Sequence, residues 1–396
     1  MPLYQRFLVW RLRYKETINV VFFAMSLPMW RYQHLYELMK EHHKFKVYII
    51  IQPIISDYNQ ALSKDVNDLK SFFTAKGIEY TLGVDANGIA LDIRKVMDPD
   101  IIFYPQPYYG YYVSDFSYNS FIDKLICYFP YAFWTAGGNW SYNLPFHNIA
   151  WKLFYSTGLH KKDAKKMSQR KGHNVEVVGY PSSDDFLKVP HKDIWRDQSI
   201  VKKRVIWASH FTISPGLLYQ SNFLWMSEVM LDIAKIYFDK IQFAFKPHPR
   251  LFSELCKHPD WGEERAIGYY QEWQNMENSQ IETGEFTDLF MTSDAMIHDC
   301  GSFTVEYHYS GNPVMYIAKN FEEQLKEKND FGKIAMNLHY VGKCKQDIID
   351  FIENVVLAGE DPLKPQRQQF LEDYLIPPHG KTVAENTMDV LLRELC

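Results

Sequence analysis

Residues 241–250 read Ile-Gln-Phe-Ala-Phe-Lys-Pro-His-Pro-Arg, an apolar run followed by a stiff polar turn. The run Ile241–Phe245 is typical of a buried strand in a parallel sheet. Two prolines fix φ in the turn and hold Lys246, His248 and Arg250 in a set arrangement. Because ligands of open α/β sheets bind beyond the carboxyl ends of strands, the stretch predicts a parallel sheet with a ligand site at its edge. A solvated strand-end loop is the alternative interpretation.

Short apolar runs alternate with amphipathic segments on both sides of this stretch. The second half predicts strands at 204–208, 241–245, 295–298 and 314–317, and helices at 224–238, 252–257, 287–292, 303–309 and 346–357. The first half predicts strands at 18–25, 47–51, 79–82, 101–104, 127–133, 153–156 and 175–179, and helices at 32–42, 65–75, 89–96 and 119–126. This rhythm is typical of βαβ units. The predicted fold class is α/β, with two Rossmann-like parallel-sheet domains facing a cleft.

The periodicity lapses between residues 181 and 198. A chain of 396 residues is long enough for two domains. We therefore predict an N-terminal domain over 1–198, a C-terminal domain over 199–380, and a final helix over 381–396 that crosses back to the first domain.

Composition narrows the classes of partner and location. The net charge of −5 and the lack of a long basic run argue against nucleic acid. The five cysteines form no CxxC pair, which favours reduced thiols over disulfides or a zinc site, and we expect no metal or other cofactor. No signal peptide or membrane-spanning run is apparent, so we predict a cytoplasmic protein.

The first residues suggest one further contact. Leu3, Phe7, Trp10 and Tyr14 recur at helical spacing, accompanied by Arg6, Arg11, Arg13 and Lys15. This pattern is typical of a helix that lies on the inner face of the membrane, which would make the protein peripheral there. A first helix that packs its stripe on its own domain is the alternative interpretation.

A second motif spans residues 287–303. A predicted helix leads through Ser293 and Asp294 into a strand, and a tight turn then opens another helix at Phe303. The free backbone N–H groups of Gly301, Ser302 and Phe303 would suit a phosphate. We assign the Asp299 carboxylate to capping the turn or to a hydroxyl of the ligand. An ordinary helix cap is the alternative interpretation.

Together the two motifs resemble the CDP-glycerol glycerophosphotransferase family of teichoic acid and capsule synthesis. The resemblance rests on Lys-Pro-His-Pro at 246–249, on Ser-Asp at 293–294 before an apolar strand, and on a Ser-bearing turn before a helix that leads to Pro-Val at 313–314. Gly179-Tyr180-Pro181 with Asp184 is also similar to the family's interdomain segment. Cys300 and Gly301 stand where the family usually has Tyr and Ser.

The resemblance implies a GT-B-like fold and a cytidine diphosphate donor site in the second domain. Lys246, His248 and Arg250 would lie near the pyrophosphate, and Thr287 or Asp288 would approach the nucleoside. The implied reaction moves glycerol phosphate, or a related alditol phosphate, from a CDP-activated donor to a hydroxyl of a cell-envelope acceptor, either a glycan or a lipid-linked polymer. CMP is released, and His248 contributes to catalysis.

The acceptor side is less defined, because the family's His-Gly pair is replaced here by Tyr128–Phe133. Candidates for the base are His210, which we rank first, His147 and Tyr131. Tyr108 belongs to the aromatic segment 105–112, whose rings and hydroxyls would suit a polyol acceptor or simply pack together.

Two other functions stay open. A glycosyltransferase of the same architecture would use a nucleotide-diphosphate sugar and the same diphosphate site. A catalytically inactive scaffold of an envelope-polymer assembly complex would explain the missing His-Gly pair. The sequence lacks GxGxxG, GxxxxGK[ST] and GxSxG, which removes the usual support for a dinucleotide oxidoreductase, a P-loop kinase or a serine hydrolase.

Overall fold

The computed structural model describes residues 2–55, 64–214, 221–301 and 303–396. These residues form two compact units, one made of 1–184 with 374–396 and the other of 185–373. The first boundary precedes the expected one at 198/199 because residues 191–196 bond to the second sheet's helices and strands. The backbone N–H of Lys192 donates to Asp288 (3.2 Å), and that of Arg196 donates to Gln280 (2.6 Å).

The first unit contains a seven-stranded sheet in the order β3-β2-β1-β4-β5-β6-β7, and all its strand pairs are parallel. The strands are β1 Ile18–Ala24, β2 Phe45–Ile51, β3 Thr81–Leu82, β4 Ile101–Tyr104, β5 Leu125–Tyr128, β6 Lys152–Tyr155 and β7 Val175–Val177. The helices are α1 Leu3–Arg13, α2 Gln33–Glu41, α3 Lys64–Ala75, α4 Ile93–Met97, α5 Pro145–Ile149 and α6 Gly158–Met167.

Strand β1 explains why this sheet is covered on both faces. Val20 and Phe22 contribute to one apolar cluster, whereas Val21 and Phe23 contribute to another, as the twofold alternation of a strand requires. A short helix, α7 Ser183–Phe186, follows β7 at the boundary of the two units.

The second unit contains a six-stranded parallel sheet in the order β10-β9-β8-β11-β12-β13. Its strands are β8 Lys203–Ala208, β9 Ile241–Phe245, β10 Ser279–Ile281, β11 Ala295–His298, β12 Val314–Ile317 and β13 Tyr340–Gly342. Its helices are α8 Phe223–Ile236, α9 Leu251–Lys257, α10 Gly262–Asn275, α11 Thr287–Met291, α12 Phe303–Glu306, α13 Phe321–Lys326, α14 Asp330–Met336, α15 Lys345–Asp350 and α16 Lys364–Phe370.

The C-terminal helix α17, Val383–Leu395, belongs to the first unit. Val383, Leu391 and Leu395 are buried in the same cluster as β1. The carboxylate of Asp184 accepts the backbone N–H of Val383 (2.8 Å) and that of Ala384, so it caps the start of α17.

The secondary-structure predictions omit several elements and are wrong at one. The omitted elements include α5, α6, α10, α13, α14, α16, β10 and β13. The helix expected over 119–126 is a 3-10 turn at Tyr118–Phe121 followed directly by β5. Leu125 and Ile126 pair with Ile101 and Ile102 of β4 and are fully buried, so sheet pairing outweighs the local helical pattern.

Candidate active site

The second sheet reverses its strand order between β8 and β11. Ligands of such sheets bind beyond the carboxyl ends of the strands at this reversal. Three polar segments follow the strands there: Ser209–His210 after β8, Lys246–Arg250 after β9 and Asp299–Gly301 after β11. The two predicted motifs therefore lie on either side of the segment that follows β8.

Backbone hydrogen bonds continue the sheet into these segments. The N–H of Lys246 donates to the carbonyl of Trp207 (2.8 Å), and the N–H of His248 donates to that of Ser209 (3.0 Å). The N–H of Asp299 donates to the carbonyl of Ala208 (3.3 Å). The residues after the three central strands are thus held on a rigid frame.

Asp299 fixes the segment after β8. Its Oδ1 accepts the backbone N–H of His210 (2.7 Å), and its Oδ2 accepts the backbone N–H of Asn222 (2.5 Å) and the hydroxyl of Ser221 (3.3 Å). Burial raises the pKa of the Asp299 carboxyl to about 6, although these donors oppose the rise. We predicted that this carboxylate caps a turn or binds a ligand hydroxyl, and the observed bonds are those of a capping group.

His210 and His248 lie side by side, with ring centroids 5.2 Å apart. The ring of Phe211 contacts both, at 4.6 Å from His210 and 4.3 Å from His248. Burial is the main cause that lowers the pKa of each imidazole to about 4, and the charge of Arg250 adds to it. Both rings are therefore neutral at pH 7.

The hydrogen bonds also identify the tautomer of each ring. Nδ1 of His248 accepts the backbone N–H of Arg250 (3.1 Å), and Nδ1 of His210 accepts that of Thr212 (3.4 Å). Because a backbone N–H can only donate, each neutral ring carries its proton on Nε2. In this state both Nε2 groups are hydrogen-bond donors.

Lys246 and Arg250 are both cationic side chains, but Lys246 is buried and Arg250 is exposed. Lys246 is only 6% exposed, its Nζ donates to the carbonyl of Gly284 (2.8 Å), and burial lowers its pKa. The charges of Glu282 and Glu285 oppose this lowering of the pKa, although neither carboxylate forms an ion pair with the ammonium in the described part of the chain. Arg250 is exposed, with Cζ 4.4 Å from the centre of the Phe211 ring and its guanidinium 3.6 Å from Glu254.

The turn after β11 leads into a short helix. Helix α12 has four residues and continues as a 3-10 turn, Tyr307–Ser310, so its dipole is short. The N–H of Phe303 already donates to the carbonyl of Cys300 (3.2 Å), and its ring packs 5.3 Å from Phe286. Gly301 is half-buried, and Ser302 lies outside the described residues.

Thr287 and Asp288 open helix α11. Oδ1 of Asp288 accepts the backbone N–H of Lys192 and lies 3.3 Å from Nδ1 of His191. The Asp288 carboxylate thus anchors the segment before β8, and Thr287 is the half-buried neighbour that precedes it.

In the first unit, Tyr108 and Tyr131 follow β4 and β5, two strands that pair in the sheet, and both are half-buried. Burial raises the pKa of Tyr108, and the neighbouring Tyr131 and Tyr111 add to the rise. The two hydroxyls that we assigned to the acceptor therefore belong to one group of tyrosines.

His147 has a different environment from the one expected of an acceptor-side base. It is 1% exposed, its Nδ1 accepts the backbone N–H of Leu144 (3.1 Å), and burial lowers its pKa to about 4. Its ring centroid lies 6.2 Å from that of Tyr128. The ring packs inside the domain and has no surface to offer an acceptor.

The first unit also contains a pocket that no sequence motif indicates. The side chains that line it are Tyr128, Pro130, Trp134, Ser141, Tyr142, Tyr155, Ser156 and His160. Within the described ranges, Oη of Tyr155 and Oγ of Ser141 are buried there without a hydrogen-bond partner. No short motif marks these residues, because only folding brings segments 128–142 and 155–160 together.

The described residues hold neither a metal-binding cluster nor a helix that could span a membrane. Among the described residues no three His, Cys, Asp or Glu side chains are grouped so that they could hold a metal ion. Across the same residues, no helix has both the length and the apolar character needed to cross a bilayer.

Comparison with known proteins supplies structural likeness but no sequence match. Neither protein families nor curated proteins match the chain. The structure is similar to the wall teichoic acid polymerase TagF (TM-score 0.61, 11% identity, 97% of this chain and 90% of that chain). It is also similar to UDP-GlcNAc 2-epimerase from Neisseria meningitidis bound to UDP-GlcNAc (TM-score 0.59, 12% identity, 95% of this chain and 100% of that chain). A further similar structure is a glycosyltransferase from Rickettsia africae (TM-score 0.53, 9% identity, 96% of this chain and 99% of that chain).

The structural similarity extends over nearly the whole chain. At sequence identities this low, it is evidence for the fold alone. Together with the two parallel sheets, it confirms the predicted GT-B-like α/β class.

Proposed function

We propose that the protein is a transferase that moves glycerol phosphate, or a related alditol phosphate, from a CDP-activated donor to a hydroxyl of a cell-envelope glycan or lipid-linked polymer. The observation that carries this proposal is the group formed by His210, Lys246, His248 and Arg250 at the strand-order reversal of the second sheet. Two imidazole N–H donors and two cations suit a diphosphate. The Lys-Pro-His-Pro resemblance supports the choice of donor, and the likeness to a wall teichoic acid polymerase supports an envelope polymer as the acceptor.

In the proposed reaction the acceptor oxygen attacks the phosphorus that bears glycerol. The bond between this phosphorus and the bridging oxygen breaks, CMP leaves with the bonding electrons, and the acceptor releases its proton. Charge grows on the leaving phosphate, where fixed donors stabilise a transition state most effectively. Lys246 and Arg250 would bind the two phosphates, and Nε2–H of His248 would donate to the leaving oxygen.

The tautomer of His210 favours a role in stabilising the diphosphate together with His248. Its Nδ1 is occupied by Thr212 and its Nε2 carries the proton, so the ring has no free lone pair for the acceptor hydroxyl. In the first unit, Tyr108 and Tyr131 stay candidates for acceptor contacts. We propose that the donor approaches the backbone closely at Gly301. We also propose Thr287 as the better candidate for the nucleoside, because the Asp288 carboxylate already accepts the backbone N–H of Lys192.

A glycosyltransferase is the second candidate. The specific observation in its favour is the likeness to an epimerase described with UDP-GlcNAc and to a glycosyltransferase, since both chemistries would use the same diphosphate site. A scaffold without turnover is the third, favoured by the lack of a His-Gly pair at 128–133.

The test incubates purified protein with CDP-glycerol, CDP-ribitol and a panel of UDP-, GDP- and CMP-sugars, each with a cell-envelope acceptor extract, and follows nucleotide release. His248→Ala is the test variant, and His173→Ala, at an exposed histidine of the first unit, is the matched control. The proposal expects CMP from a CDP-alditol, lost only in His248→Ala. Release of UDP or GDP would favour the glycosyltransferase, and silence despite CDP binding would favour the scaffold.

A further inference from the structure

Helix α1 has two apolar faces, and only one of them packs on the protein. Val9 and Leu12 are buried in the cluster that also contains α17, and Gln5 donates to the carbonyl of Ile149 (2.8 Å). The stripe noted in the sequence lies on the opposite face and is exposed: Leu3 81%, Phe7 58%, Trp10 55% and Tyr14 79%. Helix α1 therefore packs on its own domain, but through Val9 and Leu12 and not through this stripe.

The exposed stripe forms one continuous surface. The ring centroids of Phe7 and Trp10 lie 5.9 Å apart, and those of Trp10 and Tyr14 lie 5.6 Å apart. Tyr4 adds a further ring that is 42% exposed. Contiguous exposed apolar side chains on a soluble domain usually mark a contact surface, because leaving them in water is unfavourable.

Cations border this stripe without acidic neighbours on the helix. Arg6, Arg11 and Arg13 are exposed, and no Asp or Glu occurs within α1. Arg11 and Lys15 lie near the buried carboxylate of Asp100, and Nε of Arg13 donates to the carbonyl of Glu394 (2.9 Å). The surface is locally cationic although the whole chain carries −5.

We propose that this face of α1 docks on the surface of an anionic lipid bilayer. Trp and Tyr rings favour the boundary between headgroups and acyl chains, where their apolar bodies are buried and their polar atoms stay wet. Arginines beside them bind lipid phosphates, and each basic residue near an anionic surface adds attraction. A convex single helix with this charge suits a bilayer better than a second protein, which would need a complementary groove.

Membrane docking through α1 does not depend on the identity of the donor. Lipid docking concerns residues of α1 alone, so it stands or falls separately from the diphosphate site. Its consequence for function is that an acceptor held in the membrane would be within reach of a protein bound to the same surface.

The experiment measures cosedimentation of the full chain with two kinds of vesicle, phosphatidylcholine alone and phosphatidylcholine with phosphatidylglycerol. Phe7→Ser/Trp10→Ser removes apolar contacts, and Ile89→Ser, at another exposed apolar residue of the first unit (64%), is the control. Arg6→Glu/Arg11→Glu reverses charge, and Lys95→Glu is its control. Thermal unfolding checks that every variant folds.

We expect binding to the phosphatidylglycerol vesicles only, weakened about tenfold or more by either double substitution and unchanged in both controls. High salt should also release the protein. Equal binding to both kinds of vesicle, no binding to either, or full binding by both double variants would overturn the proposal. So would concentration-dependent self-association abolished by Phe7→Ser/Trp10→Ser, which would assign the stripe to a second copy of the chain.

Discussion

The ring of His248 lies 5.2 Å from that of His210, and Nδ1 of each ring accepts a backbone N–H. Two segments that follow neighbouring strands thus present the same protonated nitrogen, Nε2, at one edge of the sheet. Fixed neutral donors of this kind stabilise charge that develops on a leaving phosphate.

Removal of the His248 imidazole is expected to reduce CMP release by about 100-fold or more, the usual effect of losing a donor to a developing charge. His210→Ala should reduce it less, because Asp299 holds the backbone of residue 210 in place whatever its side chain. The measurement is kcat with the CDP-alditol found by the donor panel. His173→Ala should retain full activity, and an equally active His248→Ala would remove this residue from the mechanism.

The two imidazoles should titrate far below the ordinary histidine pKa near 6.5. Proton-detected NMR of the histidine rings should place both pKa values at about 4, and a bound diphosphate should raise them because the anion favours the charged ring. In the unfolded chain both rings take up protons near pH 6.5. Between pH 6.5 and 4 the unfolded state therefore binds more protons, and these rings make stability fall as the pH falls. Titration of both near pH 6.5 would contradict the account.

Asp299→Asn should lower stability by about 1–3 kcal/mol, since an amide has one oxygen where the carboxylate uses two. The NH2 group of the new asparagine would also face the backbone N–H of His210 or of Asn222, and two donors cannot form a hydrogen bond with each other. Thermal unfolding measures the loss, and Asp260→Asn, at an exposed position, is the control. An unchanged melting temperature would show that the carboxylate does not hold these segments.

Gly179→Ala should destabilise the first unit by more than about 1 kcal/mol. Gly179 has a φ of +104°, and an added Cβ would lie 2.9 Å from Cγ2 of Val383 at the start of α17. Gly110→Ala is the control because its added methyl meets nothing within 4 Å. Thermal unfolding of both variants tests this, and equal melting temperatures would refute the close packing.

Tyr155→Phe should leave stability unchanged or slightly higher, because its buried hydroxyl has no partner among the described residues. Tyr112→Phe is the matched comparison and should destabilise, since that hydroxyl donates to the carbonyl of Gln106 (2.6 Å). Thermal unfolding compares the two. A larger loss in Tyr155→Phe than in Tyr112→Phe would mean that the Tyr155 hydroxyl is satisfied within the protein.

The sequence predicts the fold better than the site. Apolar runs such as Ile241–Phe245 are long and fully buried, so their strands are evident. β10 is missed because Ser279 and Gln280 are polar and lie at the sheet edge. α10 is missed too, although Ala266, Tyr269 and Trp273 recur at helical spacing and are buried.

The site is only partly predictable because its details depend on tertiary contacts. The position after β9 marks Lys246 and His248, but only folding brings His210 beside them. Burial likewise decides that His147 packs inside its domain and does not face an acceptor.

The most direct test of the central claim is calorimetric titration with CDP-glycerol of the intact protein, Lys246→Met and the control Lys240→Met. Lys246 is a nearly buried cation without a carboxylate partner in the described chain, so its loss should weaken binding about tenfold or more. Lys240→Met, at the turn before β9, should bind as tightly as the intact protein. Equal affinity of Lys246→Met would contradict the placement of the donor diphosphate at this strand end.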